Sequence, residues 1–140
     1  MKYPKSAYTK IRGIVFFARM LDKMRMDLAG ELAEEYQAKM RLPFCYNSRC
    51  LRFLGVEYDD VFALVQQGKG DEEIIEWCFA NGRKPNEEEI EVWNQFMEKK
   101  GWRDEESAQL EDYKAESGLA DRDDIVTFFH YYDVDEKRQS

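Results

Sequence analysis

The chain has little of what usually identifies a function by inspection. It carries one histidine, three cysteines and three prolines in 140 residues. No apolar run approaches the roughly 20 residues that span a bilayer. The longest, Ile14-Val15-Phe16-Phe17-Ala18, is broken by Arg19. Basic residues in Met1–Lys5 are not followed by a signal-like apolar core and cleavage site. The odd cysteine count, amid core-type residues, argues against a disulfide framework, so the sequence reads as a reduced, cytoplasmic protein. Internal repeats, low-complexity tracts and Pro/Gly-rich linkers are missing.

Chemical signatures are equally sparse. Gly68-Lys69-Gly70-Asp71 is too short for a phosphate-binding loop and follows a helix rather than a strand. Asp121, Asp123, Asp124, Asp133 and Asp135 lack the central glycine and closing glutamate of a calcium loop. Cys45, Cys50, Cys78 and His130 make up the number of ligands a structural zinc site needs, but not the spacing. No metal and no cofactor is therefore expected. Long alternating apolar patterns with Asn-Gly or Asp-Gly turns are absent, which argues against a sheet.

What is present is a composition suited to a packed core: 44% hydrophobic, 36% charged and 14% aromatic. We read one domain over residues 1–140, with 1–7 and 136–140 as flexible ends. The net charge of −8 is unevenly spread. Residues 1–52 hold eleven Lys/Arg against five Asp/Glu, a balance of +6, and residues 53–140 hold ten against twenty-four, a balance of −14. Either the basic portion presents a face to an anionic partner or it pairs with the acidic portion. Overall acidity disfavours nucleic acid.

Caps followed by apolar stripes predict an all-α, compact bundle of six to seven helices. The first spans about Thr9–Leu28, with Ile14, Phe17, Leu21, Met24 and Leu28 on one stripe and Arg12, Phe16, Arg19 and Lys23 on the other face. A short helix fits residues 30–42, and Asn47 or Ser48 caps another that Gly55 closes. Asp59 or Asp60 opens the next. Further openings are predicted near Asp71, Asn86 (with Glu89 in a capping box), Asp104 and Asp121. Ile90, Trp93 and Met97 share a face that should be buried.

Several segments carry a resemblance: Ala18–Lys23, Arg49–Val56, Glu76–Gly82, Glu89–Asn94 and Asp121–Phe129. Together they resemble a bacterial family known only as a domain of unknown function, over about Tyr8–Glu136. The resemblance implies one bacterial domain and transfers no activity or catalytic residue. Relatives often place histidine after the tyrosine at position 36; this chain has Gln37.

Candidate site residues come from chemistry alone. Cys50, in the first turn of a helix capped by Asn47 and flanked by Arg49 and Arg52, has surroundings that favour a thiolate. The one histidine available as its base, His130, lies on the terminal helix. Arg19, Asp22 and Arg25 could clamp a carboxylate or phosphate. With Tyr36, Arg49 and Cys50 they form the candidate site for a small anionic ligand where the first helix meets the 47–54 helix. The leading functional reading is a binding or interaction module with a protein partner; the alternative is an enzyme or metabolite-binding regulatory domain. The oligomeric state is not indicated.

Overall fold

In the computed structural model, which describes residues 2–137, the chain forms eight helices and one two-stranded antiparallel hairpin. The fold is mostly helical, but the all-α expectation of six to seven helices needs two corrections. First, β1 (Lys10–Ile11) and β2 (Ile14–Val15) occupy the stretch read as the opening turns of the first helix. Their loop is Arg12-Gly13, at φ 51° and 80°, the left-handed geometry that joins tight hairpins. Glycine adopts it without a steric penalty. Arg12 is tied to Glu72 and Glu76 at 2.8 and 2.5 Å. An Arg-Gly pair can therefore close a hairpin where Asn-Gly was the signal sought.

Second, the helices are shorter and more numerous than predicted. They are α1 (Phe17–Leu28), α2 (Glu34–Gln37), α3 (Tyr46–Leu54) and α4 (Tyr58–Gln66), then α5 (Asp71–Asn81), α6 (Glu87–Lys99), α7 (Ser107–Glu116) and α8 (Phe128–Asp135). The openings at Asp71 and Asn86 are as predicted. The Asn86 side chain accepts from Glu89 N–H at 2.8 Å, and the Glu89 carboxylate accepts from Asn86 N–H at 2.9 Å.

The other two openings differ. Asp104 organises the turn ahead of α7, accepting from the N–H groups of Gly101 and Glu106, both at 2.9 Å. Asp121 opens no helix; residues 121–126 form turns in which Arg122 pairs with Asp124 at 2.8 Å. Thr127 caps α8 instead, its hydroxyl accepting from His130 N–H at 3.3 Å. Aspartate and threonine are both good caps, and the chain uses the one adjacent to the inward pair Phe128-Phe129.

Helix α1 packs on the hairpin, α3 and α4, while α6 packs on β2 and α8. The contact of α6 with β2 is specific. Asn94 accepts from Val15 N–H at 3.1 Å and donates to Gly13 C=O at 2.8 Å, and Trp93 Nε1 donates to Val15 C=O at 3.1 Å. These bonds satisfy backbone groups that an exposed strand edge would leave open. Between α3 and α5, Arg83 N–H donates to Leu54 C=O at 2.9 Å. A Cβ on Gly82 would lie 2.1 Å from that same carbonyl oxygen, so only glycine permits the approach.

The ends read as flexible contain anchored residues. Ala7 is fully buried and Glu136 is 5% exposed. That reading for Met1 and residues 138–140 lies outside the described residues. No helix among those described is long and apolar enough to cross a membrane.

Trp93 is 7% exposed and stacks on Phe53 with ring centroids 4.7 Å apart. Trp93→Ala should cost about 3–5 kcal/mol in denaturant melts. A loss below about 1 kcal/mol would show that α6 is not part of the core, since that is the range of surface substitutions.

Candidate functional site

The face of α1 that carries Arg19 and Lys23 was read as its outer one, yet it is covered by the end of the chain. Arg19 is 3% exposed and meets Glu136 in a two-pronged ion pair, Nη1–Oε1 2.9 Å and Nη2–Oε2 2.6 Å. Arg19 also donates to Lys5 C=O at 3.1 Å, and Tyr36 donates its hydroxyl to Glu136 at 2.6 Å. The guanidinium lies 4.7 Å from the Tyr132 ring centroid and 5.9 Å from that of Tyr36. Burial, then the bond to Glu136, pushes the Tyr36 phenol up and keeps it neutral.

Beside this pair lies a cavity of about 610 Å³, bounded by α1, the 35–46 segment, α7 and α8. Its lining is rich in rings, including Phe16, Tyr46, Tyr113, Phe128, Tyr131 and Tyr132, and it also carries the carboxylates of Glu35, Glu106, Glu116 and Asp135. Phe16 and Tyr46 meet edge to face at 5.7 Å, as do Tyr46 and Phe128 at 6.0 Å. Phe16 holds this place at a steric penalty. Its φ of 76° is left-handed, fixed by its N–H bond to Ala7 C=O at 3.0 Å and by a ring that is 1% exposed. The hydroxyl of Tyr46 is buried with no hydrogen-bond partner among the described residues.

Lys23, one turn along α1 from Arg19, also lines the cavity. Its Nζ stands 4.9 Å from the centroid of the Phe16 ring. The fully buried cations are neutralised: Arg19 by Glu136, Lys100 by Glu106 at 2.9 Å, and Lys114 by Glu111 at 3.2 Å. Among the described residues Lys23 has no carboxylate within ion-pair distance and no hydrogen-bond partner. Burial, and then the charge of Arg19, lowers its ammonium from 10.5 to about 7. An amine that gives up its proton near pH 7 on the wall of a cavity rich in rings is both a nucleophile and a hydrogen-bonding group for a guest.

One family model matches residues 1–138, described as Domain of unknown function (DUF5069). The chain belongs to that family. No curated protein matches it.

The six residues proposed from the sequence of this DUF5069 domain do not form one site. Arg19 and Tyr36 line the cavity, but both are engaged by Glu136. Asp22 pairs with Lys5 at 3.1 Å and with Arg25 at 3.2 Å, and Arg25 reaches Asp71 at 2.6 Å. Arg49 pairs with Glu106 at 3.2 Å. The Arg25–Asp71 and Arg49–Glu106 pairs join the basic portion of the chain to the acidic one, as the charge asymmetry allowed.

Cys50 is not a primed thiolate. Helix α3 starts at Tyr46, not after Asn47, so Cys50 lies beyond the first turn. It is fully buried, and burial pushes its thiol well up; that of Cys78 is likewise pushed up to about 12. Asn47 serves elsewhere, donating to Met40 C=O at 3.2 Å. Among the described residues no three His, Cys, Asp or Glu side chains are grouped to hold a metal ion. Sequence reasoning noted Lys23 only as an outward charge. The signal that could have found it is its spacing of four from Arg19 on a face that also carries Phe16.

Replacing Lys23 tests this assignment directly. Below pH 7 Lys23 is charged in both folded and unfolded chains, and the fold bears the full desolvation penalty. Between about 7 and 10.5 the unfolded chain keeps the proton and the folded chain does not, so stability rises with pH across that window. Lys23→Met should therefore stabilise the protein at pH 6 by about 1–3 kcal/mol, with the gain shrinking towards pH 10. Denaturant melts showing a loss at pH 6, or a gain independent of pH, would contradict this account.

Proposed function

We propose that this domain binds a small, planar, predominantly apolar molecule that carries one acceptor group, held in the aromatic cavity with that group against Lys23. One observation carries the reading: a half-buried cation without a carboxylate partner, in a protein that pairs its other buried cations. The cavity volume falls within the range of small-molecule sites, and the rings beside Lys23 suit the apolar part of such a guest. The unpartnered Tyr46 hydroxyl offers a second polar contact. The three unpaired thiols support a reducing, cytoplasmic setting.

A protein partner is the second reading, favoured by Phe44 and Leu42 at the cavity mouth, 81% and 48% exposed. A partner's apolar side chain would then enter where a free ligand otherwise sits.

The test is titration of the isotope-labelled protein with 2-naphthoate, followed by amide NMR. Saturable shifts should centre on Phe16, Tyr113 and Phe128, and Lys23→Met should weaken binding about tenfold while leaving the fold intact. The absence of shifts at millimolar 2-naphthoate, or shifts confined to other surfaces, would overturn the small-molecule reading and leave the protein-partner one.

A further inference from the structure

We propose that Lys23 captures an aldehyde or ketone covalently, as a reversible imine, within the aromatic cavity. The inference rests on the reading of that cavity as a small-molecule site and adds the chemical class of the guest.

Three features of the geometry support it. Lys23 is half-buried, and its Nζ sits over the Phe16 ring at 4.9 Å on the wall of the cavity, where rings replace part of the water that would otherwise solvate an ammonium. Arg19, four residues earlier on the same helix, is the charge that most opposes protonation of Lys23, and its two Nη ends are already held by Glu136. A lysine placed in an apolar pocket beside another cation is activated as an amine nucleophile, since both influences favour the unprotonated form. Arg19 cannot turn to serve as a ligand clamp without leaving Glu136 buried and uncompensated. Beside Lys23 a guest meets its amine and the hydroxyls of Tyr46 and Tyr132, while the carboxylates Glu35, Glu106, Glu116 and Asp135 also line the cavity.

The phenols complement it. Tyr46 and Tyr132 both line the cavity, and burial pushes both hydroxyls up, so they stay protonated and act as hydrogen-bond donors. The Tyr46 hydroxyl has no partner among the described residues, and neither has Arg19 Nε on the same cavity wall. A carbonyl oxygen, and the hydroxyl that replaces it during addition, are acceptors for such a donor.

The step balances without a further reagent. The Nζ lone pair adds to the carbonyl carbon, a C–N bond forms, and the carbonyl oxygen gains a proton as the nitrogen loses one, giving a carbinolamine. The C–O bond then breaks and water leaves with the second nitrogen proton. One amine and one carbonyl become one imine and one water, with no change in oxidation state. Hydrolysis reverses it.

The test uses the full chain with substoichiometric 2-naphthaldehyde and sodium cyanoborohydride at pH 7, followed by peptide mass mapping. Lys39 is the internal control: it lines the same cavity, but it is exposed and its Nζ is bonded to the Tyr113 hydroxyl at 2.6 Å. Reduced adduct should accumulate on Lys23 at least about ten times faster than on Lys39, and Lys23→Arg should remove that fast phase. Labelling of Lys23 no faster than that of Lys39 overturns the imine proposal. If 2-naphthoate still shifts the cavity residues in that case, the binding reading survives alone. If it does not, both fall.

Discussion

The buried ion pair between Arg19 and Glu136 is the constraint on which the rest of the arrangement depends. It joins residues 117 apart in sequence, and both side chains are nearly removed from solvent. Two charges in such a place are tolerated only when paired and hydrogen-bonded on most sides. Here the second prong, the Tyr36 hydroxyl and the Lys5 carbonyl supply those bonds. Removing one partner would strand the other, which typically costs about 3–5 kcal/mol. The pair therefore fixes the end of the chain against α1. In doing so it closes one side of the aromatic cavity, and it occupies the carboxylate that would otherwise be the natural partner of a second cation.

Lys23 is the consequence. One turn from Arg19, it faces rings and a cation where the rest of the protein offers its buried cations a carboxylate. Two other unfavourable features gather in the same space: the left-handed backbone of Phe16 and the unpartnered hydroxyl of Tyr46. Each opposes stability, and each borders the same cavity. On the binding reading proposed above, these features are held in place for a guest rather than for stability.

Much of the fold was legible because its signals are local. The Asn86–Glu89 capping box and the Ile90, Trp93, Met97 stripe determine α6 from neighbours three and four residues apart. The Arg12-Gly13 hairpin was not legible, because a two-residue strand offers no periodicity and its pairing is secured by Trp93 and Asn94, about 80 residues later. Asp121 misled for a related reason: it stands in a run of turns where Arg122 pairs with Asp124, and Thr127, next to the inward Phe128, took the cap.

The candidate site failed differently. Arg19, Arg25 and Arg49 looked available because sequence shows a charge but not its partner, and each met a carboxylate 46 to 117 residues away. Lys23 was passed over as a solvated charge because nothing local announces that α8 will cover its face. What makes it unusual is the absence of a partner, which only a tertiary structure can display. The measurement closest to this claim is the titration of the Lys23 side chain by NMR with selectively labelled ε-carbons, its resonance assigned by loss in Lys23→Arg. The account predicts a midpoint at about 7. A midpoint near 10.4, together with the surface lysines, would contradict it.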